Sequence, residues 1–597
     1  MPLQLSTLPR CVAGVCCLLA FALRANAVET WTKVTSPSFT LLSSAPESDT
    51  LDWAVEFEAF FTEVGATLPA SKQVRAPLTI LLFPKDEAVR PWKPLFEGRP
   101  HPSAALTFRL RSGSVVLMSA KDPDKVQRRL IYHDGVHWAM GAQGQRYPLW
   151  FQEGLAELFS SFEVAGGQRS LGMPIATHTA ILKREPLMPM AAFLGVARDS
   201  WQYNEVTRTN LFYAQAWAFA HVMYLNRDTA LRTGAMKYLA QPPAAPTEEA
   251  FRAAFGTGYA EMEQRIGAHV KAGRYGVSKM PVDRAALLAK LRREPAAEGD
   301  LELALGRVRF AQRSYDEAAR LLQTAQAAKP HAAAAWLALA EIALARNDHP
   351  TALQHLDASI GLGMDLECAY FWRGWVRMKL EAPAGKRLDP EQARLIADDL
   401  IAAARRNPGD FETIQLLAGP LGFAKPRQPE DRVILEHAVK RWPTEALFHM
   451  NLAAIDVEEG RADEARRGWE RVVALPLGVY SPLRKQAEAL LAAKAAQDTN
   501  ADFKRLHLQR DHAGLRARIQ EELRNGSPIN RARLEQSLRA LDQREATDRA
   551  IALAASDKNG ASEALAEVLT SRDADLETKT EARMQLERLR KEAAKVE

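Results

Sequence analysis

Tyr132-His133-Asp134-Gly135-Val136-His137, followed by Pro148-Leu149-Trp150-Phe151-Gln152-Glu153-Gly154-Leu155-Ala156-Glu157, is the stretch on which the reading of this chain turns. Histidines at i and i+4 project from one face of a helix, so His133 and His137 can both offer a ring nitrogen to one metal ion. A third ligand is required. The 15 residues between His137 and Glu153 suffice to end one helix, turn, and bring a second alongside. Two neutral imidazoles and one carboxylate leave Zn²⁺ with net positive charge and an open position for water, the arrangement of a hydrolytic rather than a structural zinc. Glu157 lies one turn after Glu153, where it can accept the second ring N–H of His133 and fix its tautomer. The alternative for Glu157 is a solvated helix glutamate.

Working outward, the histidine helix is predicted to start at Asp122 as cap with Pro123 in its first turn, and to run to about Gly141. Gly135 inside it costs about 1 kcal/mol relative to alanine, so tertiary contacts must hold the segment. A second helix is predicted from near Pro148, with Glu153 and Glu157 on one face. Upstream, Ala105 to Arg111 alternates apolar and polar, and Ser112-Gly113 turns it into Ser114 to Ser119, which reads as a hairpin. Trp31 to Thr35, Phe39 to Ser43 and Leu78 to Phe83 read as strands, and Asp49 to Val64 has helical apolar spacing. The region from Val28 to about residue 280 is therefore expected to be α+β.

The histidine motif together with Trp150-x-x-Glu153-Gly-x-Ala-Glu157 resembles the gluzincin zinc metallopeptidases, in particular the bacterial peptidase-MA-like branch often fused to tetratricopeptide repeats. The resemblance extends from about Trp31 to Val270, including Phe212-Tyr213-Ala-Gln-Ala-Trp217 and Phe251 to Gly256. It implies a gluzincin-like fold with zinc on His133, His137 and Glu153. It also implies a glutamate at position 134 that takes a proton from the attacking water, and this chain carries Asp134 there. An aspartate is one methylene shorter and stops short by about 1 Å, a misplacement that costs on the order of 100-fold in rate. Tyr213, in the segment that resembles the family's downstream helix, is the candidate oxyanion donor, with His221 as runner-up. The family fold further suggests that Ser114 to Ser119 is a sheet edge able to pair with an extended peptide.

Beyond about Pro281 the chain becomes Ala-rich with an internal period. Ala318, Leu322 and Ala325 recur as Ala352, Leu356 and a weaker continuation, a shift of 34 residues, and Leu305-Gly306 is answered by Leu339-Ala340. This resembles the tetratricopeptide repeat, whose helix pairs need small residues where they cross. Looser copies follow over Gly374 to Pro408, with an insertion around Ala382 to Leu388, then Leu435 to Pro443, and Leu452-Ala453 with Ala465 and Trp469. The expected organisation is a signal segment over 1–27, a metallopeptidase-like domain over 28–280, repeats over 281–480, and a charged helical region over 481–597 that caps the solenoid or stays partly mobile.

A chain of 597 residues is too long for one hydrophobic core. Arg10, the apolar run from Cys11 to Leu23 and the triplet Ala25-Asn26-Ala27 read as a cleavable secretory signal, with an uncleaved anchor as the alternative. No later stretch reaches the roughly 20 apolar residues of a transmembrane helix, so an exported protein, periplasmic or secreted, is expected. Three of the four cysteines lie in the signal and Cys368 stands alone, so the mature chain has no internal disulfide. The formal charge of +5 falls to +3 once Arg10 and Arg24 leave with the signal. With no basic stripe interleaved with aromatics, nucleic acid is excluded as the leading partner. Two functional readings follow. In the first the chain is a zinc-dependent peptidase whose repeats present substrate. In the second it is an impaired pseudopeptidase acting as a protein-binding repeat adaptor.

Overall fold

The computed structural model describes residues 30–68, 77–122, 125–141, 147–203, 210–225, 229–240, 247–382, 388–478, 481–525 and 531–593. The expected signal segment and the core of the insertion after Ala382 lie outside these residues. The chain folds into two compact units, one ending at Ile455 and one beginning at Asp456.

The first unit opens on strands β1 (Thr32–Thr35), β2 (Thr40–Ser43), β3 (Leu78–Phe83), β4 (Leu95–Phe96), β5 (Arg99–Pro100), β6 (Leu106–Leu110) and β7 (Gly113–Ser119), joined later by β8 (Glu163–Ala165), β9 (Gln168–Leu171), β10 (Ser278–Pro281) and β11 (Arg292–Pro295). Six of them form one mixed sheet in the order β11-β1-β2-β3-β7-β6. β2, β3 and β7 run parallel, and the remaining neighbours pair antiparallel. The continuous apolar runs of β3 and β7 arise because both faces of the sheet are covered. Alternate residues Leu41, Ile80, Leu82, Val116 and Met118 enter a core with Phe57 and Phe60 of the helix Glu47–Thr67. Their neighbours Leu42, Leu81, Phe83, Val115 and Leu117 enter another with Ala304, Leu305 and Val308.

That second core crosses the domain boundary expected near residue 280. β11 pairs with β1 beyond it, and the helix Asp300–Ala311, the first of the repeat region, covers the far face of the sheet. The physical reason is simple: a sheet apolar on both faces needs two covering layers, and the N-terminal helices supply one.

From Asp300 onward the first unit is a run of helix pairs: Asp300–Ala311 with Tyr315–Ala327, Ala332–Ala345 with His349–Gly361, Glu367–Glu381 with Pro390–Arg406, and Phe411–Phe423 with Pro429–Arg441. Each helix packs on its successor, the hallmark of a solenoid. The small residues of the repeat pattern, Ala318 and Ala352, are fully buried at these crossings. Cys368 is buried and free. The second unit is helical throughout its described length, from Ala462–Ala474 to Leu576–Ala593, with charged outer faces and a small core around Ala561, Leu565, Ala582 and Leu586. Among the described residues no helix is long and apolar enough to cross a membrane.

Candidate metal centre

The histidine helix spans Val126–Gly141. It begins later than the cap residue foretold, because both Asp122 carboxylate oxygens accept from backbone N–H groups further on, Gln127 at 3.0 Å and Arg128 at 3.1 Å. Asp122 thus satisfies the first-turn donors from a distance, and Pro123 lies outside the described residues. One face of the helix is core: Tyr132 stacks on Phe60 at 4.4 Å and donates its hydroxyl to Glu56 at 2.7 Å. Gly135 is required by the same packing, since a Cβ there would sit 2.9 Å from the Phe60 ring.

The adjacent face carries His133 and His137 toward the helix Leu149–Ser160. Gly154 lets that helix approach Ala216, whose carbonyl oxygen would be 2.5 Å from any Cβ at 154. With the backbone pinned this way, Glu153 and Glu157 point at the histidines. His133 Nε2 lies 3.1 Å from His137 Nε2, and both lie 3.4 Å from Glu153 Oε2. Ligands about 2.0–2.1 Å from a tetrahedral Zn²⁺ are separated by about 3.4 Å, so this donor set fits such an ion in both spacing and chemistry.

Around these three sits an outer layer. Glu157 Oε1 is 3.2 Å from His133 Nδ1, and its other oxygen is 3.0 Å from His178 Nε2. Burial opposes ionisation of Glu153, but the imidazoles of His133 and His137 outweigh it and hold the carboxyl well below its usual range. His133 and His178 do the same for Glu157 against the same burial. Burial pushes the His137 pKa down, favouring the neutral ring that a metal ligand must be. His178 carries no signal in the sequence, because nothing local distinguishes it from any other helix histidine.

The cluster forms the floor of a cleft of about 730 Å³. Asp134 lines this cleft and pairs with Arg109 of β6 at 3.2 Å. Tyr213 does not line it. That side chain is fully buried in the helix Leu211–Leu225 and stacks on Tyr203. Tyr203 faces the cleft, as does Tyr147; Tyr203 lies 3.4 Å from Glu153 Oε1, between helices, where no periodic pattern marks it. His221 is also drawn elsewhere, donating toward the Gly172 carbonyl at 3.2 Å and lying against His269.

The edge-strand expectation needs correcting. Ser114 to Ser119 belongs to β7, which is buried and paired on both sides by β3 and β6. The edge strand is β6, and its Thr107 and Arg109 line the cleft. Alternation in the sequence identified the hairpin without telling which arm lies outermost. The opposite wall comes from the repeat region, through Glu367, Cys368, Arg406 and Asp410.

Residues 303–366 match the tetratricopeptide repeat family model. No curated protein matches the chain. Among solved structures it is similar to YrrB, a TPR protein with an unusual peptide-binding site, at 14% identity and a TM-score of 0.27 over 32% of this chain and 92% of that one. It is also similar to the TPR domain of P58(IPK), at 15% identity and a TM-score of 0.18 over 49% of this chain and 77% of that one. The repeat match falls on the first two helix pairs, and it is this stretch of the chain that carries the tetratricopeptide repeat.

Proposed function

We propose that this protein captures an extended peptide or protein segment in the cleft between β6 and the repeat helices, with a zinc ion held on the cleft floor by His133, His137 and Glu153, and that capture rather than efficient cleavage is its role. The observation that carries the reading is the triangle of donor atoms, 3.1 to 3.4 Å apart, at the bottom of a cleft walled by repeats. The tetratricopeptide match over 303–366 supports the protein-binding half. When bound, Zn²⁺ supplies Lewis-acid polarisation of a carbonyl and a lowered pKa for water. Asp134 lines the same cleft, and this reading assigns it the proton of that water. Its carboxylate is about 1 Å short of a glutamate's reach, a misplacement costing on the order of 100-fold, and Arg109 holds one of its oxygens.

A second reading, an efficient zinc peptidase, is favoured by the outer layer of Glu157 and His178, which a site released from catalysis has no need to keep in order. One experiment separates the two. Metal content and cleavage of a mixed peptide library are measured for the wild type, Asp134→Glu and Glu153→Ala. Capture predicts about one zinc per chain in the first two, weak cleavage by the wild type, and a gain of about 100-fold in Asp134→Glu. Vigorous cleavage by the wild type that Glu153→Ala abolishes establishes the peptidase instead. Absence of zinc from every variant overturns both.

A further inference from the structure

The turn between β6 and β7 is seated on the repeats. Ser112 donates to Glu341 Oε2 at 2.7 Å in a buried contact with the helix Ala332–Ala345. Arg111 reaches the next two pairs. Its guanidinium lies 2.6 Å from Glu367, 2.5 Å from Asp410, 2.6 Å from Glu412 and 3.1 Å from the Thr413 hydroxyl. Its Cζ also lies over the Phe371 ring, 3.5 Å from the ring centre, and 5.9 Å from that of Trp372. Glu341, Glu367 and Phe371, and Glu412 and Thr413 sit on Ala332–Ala345, Glu367–Glu381 and Phe411–Phe423, and Asp410 caps the last. These are the first helices of three successive pairs, so the hairpin lies along the face that such helices form together.

The way the repeats hold the sheet changes along the solenoid. The helix Asp300–Ala311 meets it through an apolar core. Two and three pairs further on, the meeting is a guanidinium in a ring of carboxylates on an aromatic platform. Three carboxylates surround one cation; Arg111, Glu367 and Asp410 are 19%, 15% and 23% exposed and Glu412 is 65% exposed, so the cage meets solvent on its Glu412 side. Planar stacking and forked donors suit arginine and not lysine.

We propose that this face of the repeats is an arginine-reading groove, filled in cis by Arg111 as a pseudo-ligand, and that its external ligand is an extended segment of a partner protein carrying an arginine that takes the place of Arg111. The inference rests on the reading that the repeats bind protein, and names the chemistry they read. It does not depend on the metal. Glu367 and Asp410 also line the cleft, so an exchange of ligand changes the wall facing the histidines. A cis occupant competes with any external ligand for the same cage, so removing it strengthens external binding.

The test uses the full chain and a fluorescent peptide copying residues 106–116, with the same peptide carrying Arg111→Ala as control. Anisotropy titration is expected to give at least tenfold tighter binding to the Arg111→Ala protein than to the wild type, and loss of binding with the control peptide. Equal affinity for both proteins, or for both peptides, overturns the proposal. Should the variant protein not fold, hydrogen exchange on the wild type decides. Excess peptide is expected to deprotect residues 106–113, and unchanged exchange overturns the groove. Zinc content and cleavage are read in a separate assay, so failure here is distinguishable from failure of the metal reading.

Discussion

Glu157 illustrates how much of the candidate site rests on single side chains without direct access to the metal position. Its carboxylate ties His133 to His178, and loss of such an orienting partner typically weakens metal affinity by about 10- to 100-fold. On the proposed zinc reading, Glu157→Gln is expected to weaken zinc binding by that amount in competition with a chromophoric chelator, whereas unchanged affinity would remove its orienting role. His221 gives the pH dependence. Burial, reinforced by His269, depresses its pKa to about 4, below an unfolded value of about 6.5. The native state keeps the ring neutral while the unfolded chain takes up a proton. This stability is therefore complete above pH 6.5 and lost as pH falls toward 4, on the order of 3 kcal/mol. The half-buried His269 ring beside it shifts in the same direction. Urea unfolding across this window should show the decline in the wild type and a flatter profile in His221→Gln, whose amide keeps a donor for Gly172.

At the level of elements, the centre is made by two helices held at a fixed distance, and glycine sets the distance. Gly154→Ala brings a Cβ to 2.5 Å from a backbone oxygen that has no rotamer through which to yield. Alanine gains about 1 kcal/mol in helix propensity, but the overpacking costs more, and a net loss of about 2 kcal/mol is expected from urea unfolding. The same displacement should draw Glu153 away from the histidines and, on the proposed zinc reading, lower metal occupancy, which metal analysis of the folded fraction reports. The hairpin makes a related point. Its strands, turn and alternation are all local, yet only pairing with β3 makes β7 internal and leaves β6 at the edge.

For the whole molecule, the decisive feature is the shared core between the sheet and the first repeat helix. Leu305 is buried there at 3% exposure, and Leu305→Ala is expected to cost about 2–5 kcal/mol in chemical denaturation. A fragment ending at residue 280 lacks β11 and this helix, leaving Leu42, Leu81, Phe83, Val115 and Leu117 facing water. It is expected to be insoluble or to lack a cooperative unfolding transition, and a soluble fragment that unfolds cooperatively would falsify the shared-core account.

What the sequence determined by itself is whatever depends on short-range periodicity and residue chemistry: the strands and hairpin, the two helices bearing His133, His137, Glu153 and Glu157, and the helix pairs after Asp300. A helix face or a repeat period is written in residues a few positions apart. Only the tertiary structure decided that Tyr203 rather than Tyr213 faces the cleft, that Arg109 engages Asp134, that His178 joins the outer layer, and that the repeats wall the cleft instead of standing apart from it. Each of these joins residues distant in the chain, and such pairings are fixed by which apolar faces must cover one another, a condition that no local pattern carries.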